Sequence, residues 1–176
     1  MTTDQEKTLQ GLSTAIQMEI DGKQFYLKAS QASSNEAGRK LLEKLAGEED
    51  IHRQKFEQIY ESIRASNAWP SVTYQPDGGR SLRTLFARAT QELGAKEKAP
   101  DTELAAAQTA VDMEAKTFDF YKKQSREVSY PAAKAFFEAV AAQEREHQLI
   151  LLDYYEYLKN PAAWFVDKEH PSLDGA

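Results

Sequence analysis

Two stretches of the chain place apolar residues at alternating steps of three and four positions. The first stretch runs through Leu42, Leu45, Glu49, His52, Phe56, Ile59 and Ile63. The second runs through Phe137, Val140, Glu144, His147, Leu151, Tyr154 and Leu158. This spacing is typical of the buried stripe of a helix in a bundle, whereas a strand would alternate every two residues. Each stripe is interrupted once, both times by a Glu followed three positions later by a His.

The two stretches belong to an internal repeat. A shift of 95 residues aligns 17–63 with 112–158 without a gap, and 14 of those 47 positions are identical. Ordinary residue usage would give about three identities by chance. The matching segments include Met18-Glu19 with Met113-Glu114, and Phe25-Tyr26 with Phe120-Tyr121. The pattern therefore indicates a duplicated two-helix hairpin.

Polar breaks and prolines divide each repeat into two helices. Ser34 or Asn35 is expected to cap the second helix of the first repeat, because short polar side chains accept hydrogen bonds from the first helical turn. Asp101 opens the first helix of the second repeat, Ser129 and Pro131 start the last helix, and Pro161 is predicted to end it. The chain is thus predicted to be all-α, a four-helix bundle made of two antiparallel hairpins.

A long connection separates the two repeats. Residues 66–101 contain several prolines and a PDGG turn, and only the segment 81–93 is amphipathic. A connection of this length in a compact domain indicates a crossover along the bundle. We expect residues 1–158 to form the bundle and residues 159–176 to form a tail packed on it, without an obvious fifth C-terminal helix. Trp69 and Trp164 are predicted to anchor the crossover and the tail.

Composition narrows the possible chemistry. The 176 residues carry a net charge of −6, contain no cysteine and show no apolar run long enough to span a membrane. The acidic charge argues against a nucleic-acid partner, and the polar N-terminal segment without a leader pattern predicts a cytoplasmic location. Without cysteine, a metal site must use Asp, Glu and the three histidines, of which His170 is expected at the surface.

The interruptions of the buried stripes are candidate metal ligands. A Glu and a His three positions apart project from one helical face. The repeat also places one lone acid, preceded by Met, on each of the other two helices. Four carboxylates and two imidazoles are therefore predicted to meet at mid-bundle: Glu19, Glu49, His52, Glu114, Glu144 and His147. Four buried anions are costly without compensation, and two divalent cations would balance them. Glu48 aligns with Gln143 beside the stripe and is expected to be solvated.

These motifs resemble a known superfamily. MEIDGKQFY, EEDIH, MEAKTFDFY and EREH reproduce the ligand rule of ferritin-like di-metal carboxylate proteins, namely one Glu from each of two helices and a Glu-x-x-His from each of the other two. Within that superfamily the chain is most similar to rubrerythrin-related proteins, over residues 5–158. The resemblance implies a ferritin-like four-helix bundle. It also implies that Glu49 and Glu144 bridge two metals, while Glu19 and Glu114 each bind one.

The resemblance further implies roles for the histidines and two tyrosines. His52 and His147 would each bind one metal. Tyr26 and Tyr121 would donate hydrogen bonds near the site, with plain core packing as the alternative for both rings. We assign the catalytic step to the bridging Glu49 and Glu144 together with these two tyrosines.

Two departures from the rubrerythrin pattern affect the expected chemistry. Rubrerythrins usually carry an additional Glu three residues after the third-helix acid, where this chain has Thr117, and the equivalent position of the first repeat is Gly22. The missing Glu leaves a set of six ligands. The missing cysteines mean that the chain holds no rubredoxin-type centre, so a separate rubredoxin-type protein would have to donate electrons.

The resemblance implies an oxidoreductase with two iron ions per chain, although manganese or zinc would also suit these ligands. Such an enzyme would reduce H2O2 or O2 in oxidative-stress defence, as a peroxidase or a ferroxidase. The main alternative is a non-catalytic bundle that binds or stores iron or is stabilised by zinc, and oxygenation of an apolar substrate is a weaker one. A homodimer is expected, with no nucleic-acid or membrane partner.

Overall fold

The computed structural model describes residues 4–66, 68–72, 74–94 and 99–169. These residues form six helices and no strand: α1 Asp4–Ala32, α2 Glu36–Ser66, α3 Arg80–Leu93, α4 Asp101–Glu127, α5 Pro131–Lys159 and α6 Pro161–Glu169. The predicted all-α bundle is confirmed, with α1, α2, α4 and α5 as its four long helices. His170, predicted at the surface, lies outside the described residues.

The helix ends follow local capping chemistry, with one difference from the prediction. The side chain of Asn35 accepts a hydrogen bond from the amide of Gly38 at 3.1 Å, which identifies it as the cap of α2. As predicted, α5 ends just before Pro161, at Lys159. Pro161 then begins a further helix, α6, because proline suits the first turn of a helix, and Asn160 caps that turn through the amide of Ala163 at 3.2 Å. The expected tail is therefore a short helix up to Glu169.

The two hairpins are α1 with α2 and α4 with α5, and each packs most closely within itself. Between the hairpins, α1 contacts α4, and α2 contacts α5. The interior contains two separate apolar clusters, one towards each end of the bundle. On α2, Leu45 belongs to one cluster and Phe56 to the other; on α5, Leu151 and Val140 are divided in the same way. The residues between them form a polar layer in the middle of the core.

The crossover follows the α2–α5 side of the bundle. Trp69 packs against Phe136 with 6.0 Å between ring centroids, and α3 packs on α2. In α6, Trp164 lies 5.4 Å from the ring of Tyr157 and 5.8 Å from that of Phe86. Both tryptophans thus contact the bundle, as predicted. Within the described part of the chain, every helix is too short or too polar to cross a membrane.

Candidate metal centre

The polar layer contains the six candidate ligands. One comes from α1, two from α2, one from α4 and two from α5, since the helical spacing turns each toward the bundle axis. All six side chains are at most 3% exposed: Glu19, Glu49, His52, Glu114, Glu144 and His147. The structure therefore brings together every residue that the repeat pattern selected.

The six residues form two overlapping groups. Position 1 consists of Glu19, Glu49, His52 and Glu144, and position 2 consists of Glu49, Glu114, Glu144 and His147. In each group, one ligand atom from every residue lies within 4.8 Å of the others. Glu49 and Glu144 are shared by both groups. This is the arrangement required for two carboxylates to bridge a pair of cations.

The donor atoms of the cluster are better placed to bind metal ions than to form hydrogen bonds with one another. Six of its buried side-chain atoms make no hydrogen bond with any described residue, among them Nδ1 of both histidines and both oxygens of Glu144. These atoms are nevertheless close, since Nδ1 of His52 lies 3.0 Å from Glu144 and Nδ1 of His147 lies 3.3 Å from Glu49. Unpaired buried polar atoms are rare because each loses its hydration. Imidazole and carboxylate donors in this number suit two divalent cations.

The pKa values of the metal-free cluster likewise show that its residues alone do not balance its negative charge. Burial, followed by the charges of neighbouring carboxylates, raises the pKa of Glu49 and Glu114 well above the ordinary range. Burial also opposes ionisation of Glu144, but His52 and His147 hold its pKa below the usual value. Burial disfavours the imidazolium of both histidines, yet the surrounding carboxylates raise their pKa values. Without metal, protons must therefore supply the positive charge that cations would supply.

Tyr26 and Tyr121 connect the two hairpins at the same layer. The hydroxyl of Tyr26 on α1 donates to Glu114 on α4, and the hydroxyl of Tyr121 on α4 donates to Glu19 on α1. Each tyrosine thus holds the lone acid of the opposite repeat. Burial and the adjacent carboxylates raise the pKa of both hydroxyls, so each keeps its proton and remains a donor. Both rings are fully buried, so the two tyrosines serve in packing as well as in hydrogen bonding.

The prediction that Glu48 is solvated was wrong. Its side chain is buried, and Oε2 accepts hydrogen bonds from Nε2 of His147 at 3.0 Å and from the amide of Gln143 at 2.6 Å. Burial opposes ionisation of Glu48, but the hydrogen bond from His147 lowers its pKa below the usual value. Gln143 and His147 of α5 contact this side of α2, and a periodicity argument for a single helix cannot include them.

Tyr74 was not identified from the sequence. It lies in the crossover, where its hydroxyl is 2.6 Å from Nε2 of His52 and donates to Gln143. Burial raises its pKa to about 12. A tyrosine in a proline-containing connection carries no periodic signal, so only the path of the crossover places it at the site.

The positions that depart from the rubrerythrin pattern add no seventh ligand. The hydroxyl of Thr117 donates to the carbonyl of Met113 at 3.0 Å, within its own helix. Gly22 is buried, and a Cβ at this position would lie 3.4 Å from Oε2 of Glu49. The carboxylate of Glu49 thus fills the space beside Gly22.

Bundle and site together define a ferritin-like protein whose buried carboxylate and histidine cluster is compatible with a di-metal centre. The sequence model of the rubrerythrin family matches residues 11–155, with a further match over 106–172, and the chain belongs to this family. It is 25% identical to a Bacillus subtilis (strain 168) protein, the uncharacterized protein YhjR. The alignment spans 146 residues and covers 83% of this chain and 85% of that protein. No solved structure gives a significant match.

Proposed function

We propose that this protein is a di-iron oxidoreductase that reduces H2O2 or O2 in defence against oxidative stress. The observation that carries the proposal is the sharing of Glu49 and Glu144 by positions 1 and 2. A bundle that needed metal only for stability would require no shared ligands. Shared carboxylates hold two ions in one site, so that both can act on one substrate molecule.

Two bound ferrous ions would supply the pair of electrons that, with two protons, converts H2O2 into two molecules of water. The chain's own residues prepare the site for this reaction. Glu49 and Glu144 carry negative charge to both positions, and Tyr26 and Tyr121 fix the orientation of the two lone acids. The two apolar clusters above and below the layer exclude bulk water from it, which strengthens each electrostatic contact.

The reducing equivalents must reach the site from outside this chain. Its 176 residues contain no cysteine and therefore no thiolate-bound electron-transfer centre. We propose a separate rubredoxin-type protein as the donor.

The test is an anaerobic Fe(II) titration of the metal-free protein, followed by rapid mixing with H2O2 or with O2. We expect saturation at two Fe(II) per chain and oxidation faster than that of free Fe(II), and the better oxidant separates peroxidase from ferroxidase chemistry. Glu144→Gln should lose the second Fe(II). Glu138→Gln is the matched control, since Glu138 is exposed on the same helix. Oxidation no faster than that of free iron, or a tightly held metal pair that neither oxidant affects, would favour the non-catalytic alternative.

A further inference from the structure

A chain of hydrogen bonds outside the candidate ligands connects the two histidines. Nε2 of His52 contacts the hydroxyl of Tyr74, and Tyr74 donates to Oε1 of Gln143. The amide nitrogen of Gln143 donates to Oε2 of Glu48, and the same oxygen lies 3.0 Å from Nε2 of His147. Each histidine has its Nδ1 turned toward the cluster. With Nδ1 bound to a metal, Nε2 carries the hydrogen and donates outward.

The donors in this chain all point toward Glu48. Tyr74 has a single hydroxyl hydrogen, and because that hydrogen goes to Gln143, the tyrosine oxygen accepts from His52. His147 therefore donates directly to a carboxylate, whereas His52 donates to a neutral hydroxyl. Lys44 lies 3.4 Å from the other oxygen of Glu48 and offsets part of its buried charge. The two histidines thus have unequal supports.

The inequality arises where the two repeats differ. Glu48 and Gln143 occupy equivalent positions of the repeat, 95 residues apart, and they hydrogen-bond to each other between α2 and α5. Two carboxylates here would repel each other at 2.6 Å, and two amides would give neither histidine an anionic acceptor. One Glu and one Gln satisfy the contact, but they leave only one of the two histidines with a carboxylate.

We propose that Glu48 is a positioning residue that makes position 2 the tighter of the two metal positions, so that the first metal ion binds beside His147. This inference rests on the di-metal centre proposed above. A carboxylate that accepts the outer hydrogen of a ligand histidine fixes the ring and increases its basicity. Tyr74 fixes the ring of His52 but, as a neutral acceptor, increases its basicity less.

The experiment uses Co(II) as the probe, because its visible absorption reports each binding step, with a competing chelator to give Kd. Glu19→Gln weakens position 1 and Glu114→Gln weakens position 2, so each background isolates the other position. In the Glu19→Gln background, Glu48→Gln should raise Kd about 10- to 100-fold, the usual effect of removing such a hydrogen bond. In the Glu114→Gln background the same change should have a clearly smaller effect, and Tyr74→Phe should act there instead. Glu43→Gln, exposed on the same helix, should change neither Kd.

The exchange variant Glu48→Gln with Gln143→Glu provides a second test at constant net charge. It should weaken position 2 without weakening position 1, and circular dichroism confirms that the helices are retained. An equal effect of Glu48→Gln on both positions, or no effect on either, would overturn the inference while leaving the di-metal centre intact. Failure of the unsubstituted protein to bind two Co(II) would instead overturn the proposed centre itself.

Discussion

Replacing Tyr121 by Phe removes a single hydroxyl from the centre of the protein. The ring is fully buried and packs against Phe56 and Phe137, with 5.2 and 6.1 Å between centroids. Phenylalanine keeps these contacts, so no cavity the size of a ring opens. The change therefore isolates the hydrogen bond that Tyr121 donates to Glu19 across the two hairpins.

The expected loss follows from the partner and its burial. Leaving a buried acceptor without its donor costs about 1–3 kcal/mol, and Glu19 is fully buried, so no water replaces the missing hydrogen bond. For a chain of this size each kcal/mol corresponds to about 2–4 °C in Tm, which gives a decrease of about 2–12 °C. Tyr26→Phe should cost a similar amount, because Tyr26 makes the equivalent bond to Glu114.

Differential scanning calorimetry of the metal-free protein measures this loss. A Co(II) titration of each variant then shows which metal position the hydroxyl supports. Tyr121→Phe should weaken position 1, which contains Glu19, and Tyr26→Phe should weaken position 2, which contains Glu114.

Tyr60→Phe is the control, since Tyr60 is partly buried against the same apolar cluster as Tyr121. It should lower Tm by less than about 2 °C, as expected for a change that removes no cross-hairpin bond. If Tyr121→Phe matched Tyr60→Phe in Tm and left Co(II) affinity unchanged, the hydroxyl would contribute nothing to the site, and the reasoning would be refuted.

Three further predictions concern the whole layer and its surroundings. In the folded, metal-free protein two carboxyl groups, Glu49 and Glu114, have pKa values raised above their ordinary 4.5. The pKa values of His52 and His147 are likewise raised above their ordinary 6.5. The folded state thus keeps protons that the unfolded chain releases, so the Tm of the metal-free protein should decrease as the pH rises above these ordinary values, and an increase would contradict the assignment. Free metal at about 100 times the Kd of a position should add about 2.7 kcal/mol of stability for each position filled, which EDTA should remove in the same calorimetric scan. Gly38→Ala should cost about 1–3 kcal/mol in urea unfolding, because the new Cβ would overlap the hydroxyl of Tyr154. Gly47→Ala meets nothing within 4 Å and should instead stabilise α2 by about 0.5–1 kcal/mol.

Much of the fold was predictable because it depends on local and repeated signals. Steps of three and four positions predict helices, and Pro131 and Asn35 mark helix starts through short-range backbone chemistry. Pro161 was predicted to end α5, and α5 does end at Lys159, but Pro161 also begins α6, since proline is as compatible with the first turn of a new helix as with the end of an old one. The sequence pattern by itself did not distinguish the two.

The amino-acid sequence alone determined the six polar positions of the layer. A helix turns residues i and i+3 to one face, and a duplication repeats that face. The sequence therefore predicts that the pair Glu49 and His52 faces the pair Glu144 and His147. The tertiary structure alone decided what surrounds them. Glu48 is one residue from Glu49 and points about 100° away around the helix, and such a position is solvated unless another element covers it. Gln143 and His147 contact it here, because the two hairpins bring together residues far apart in the chain.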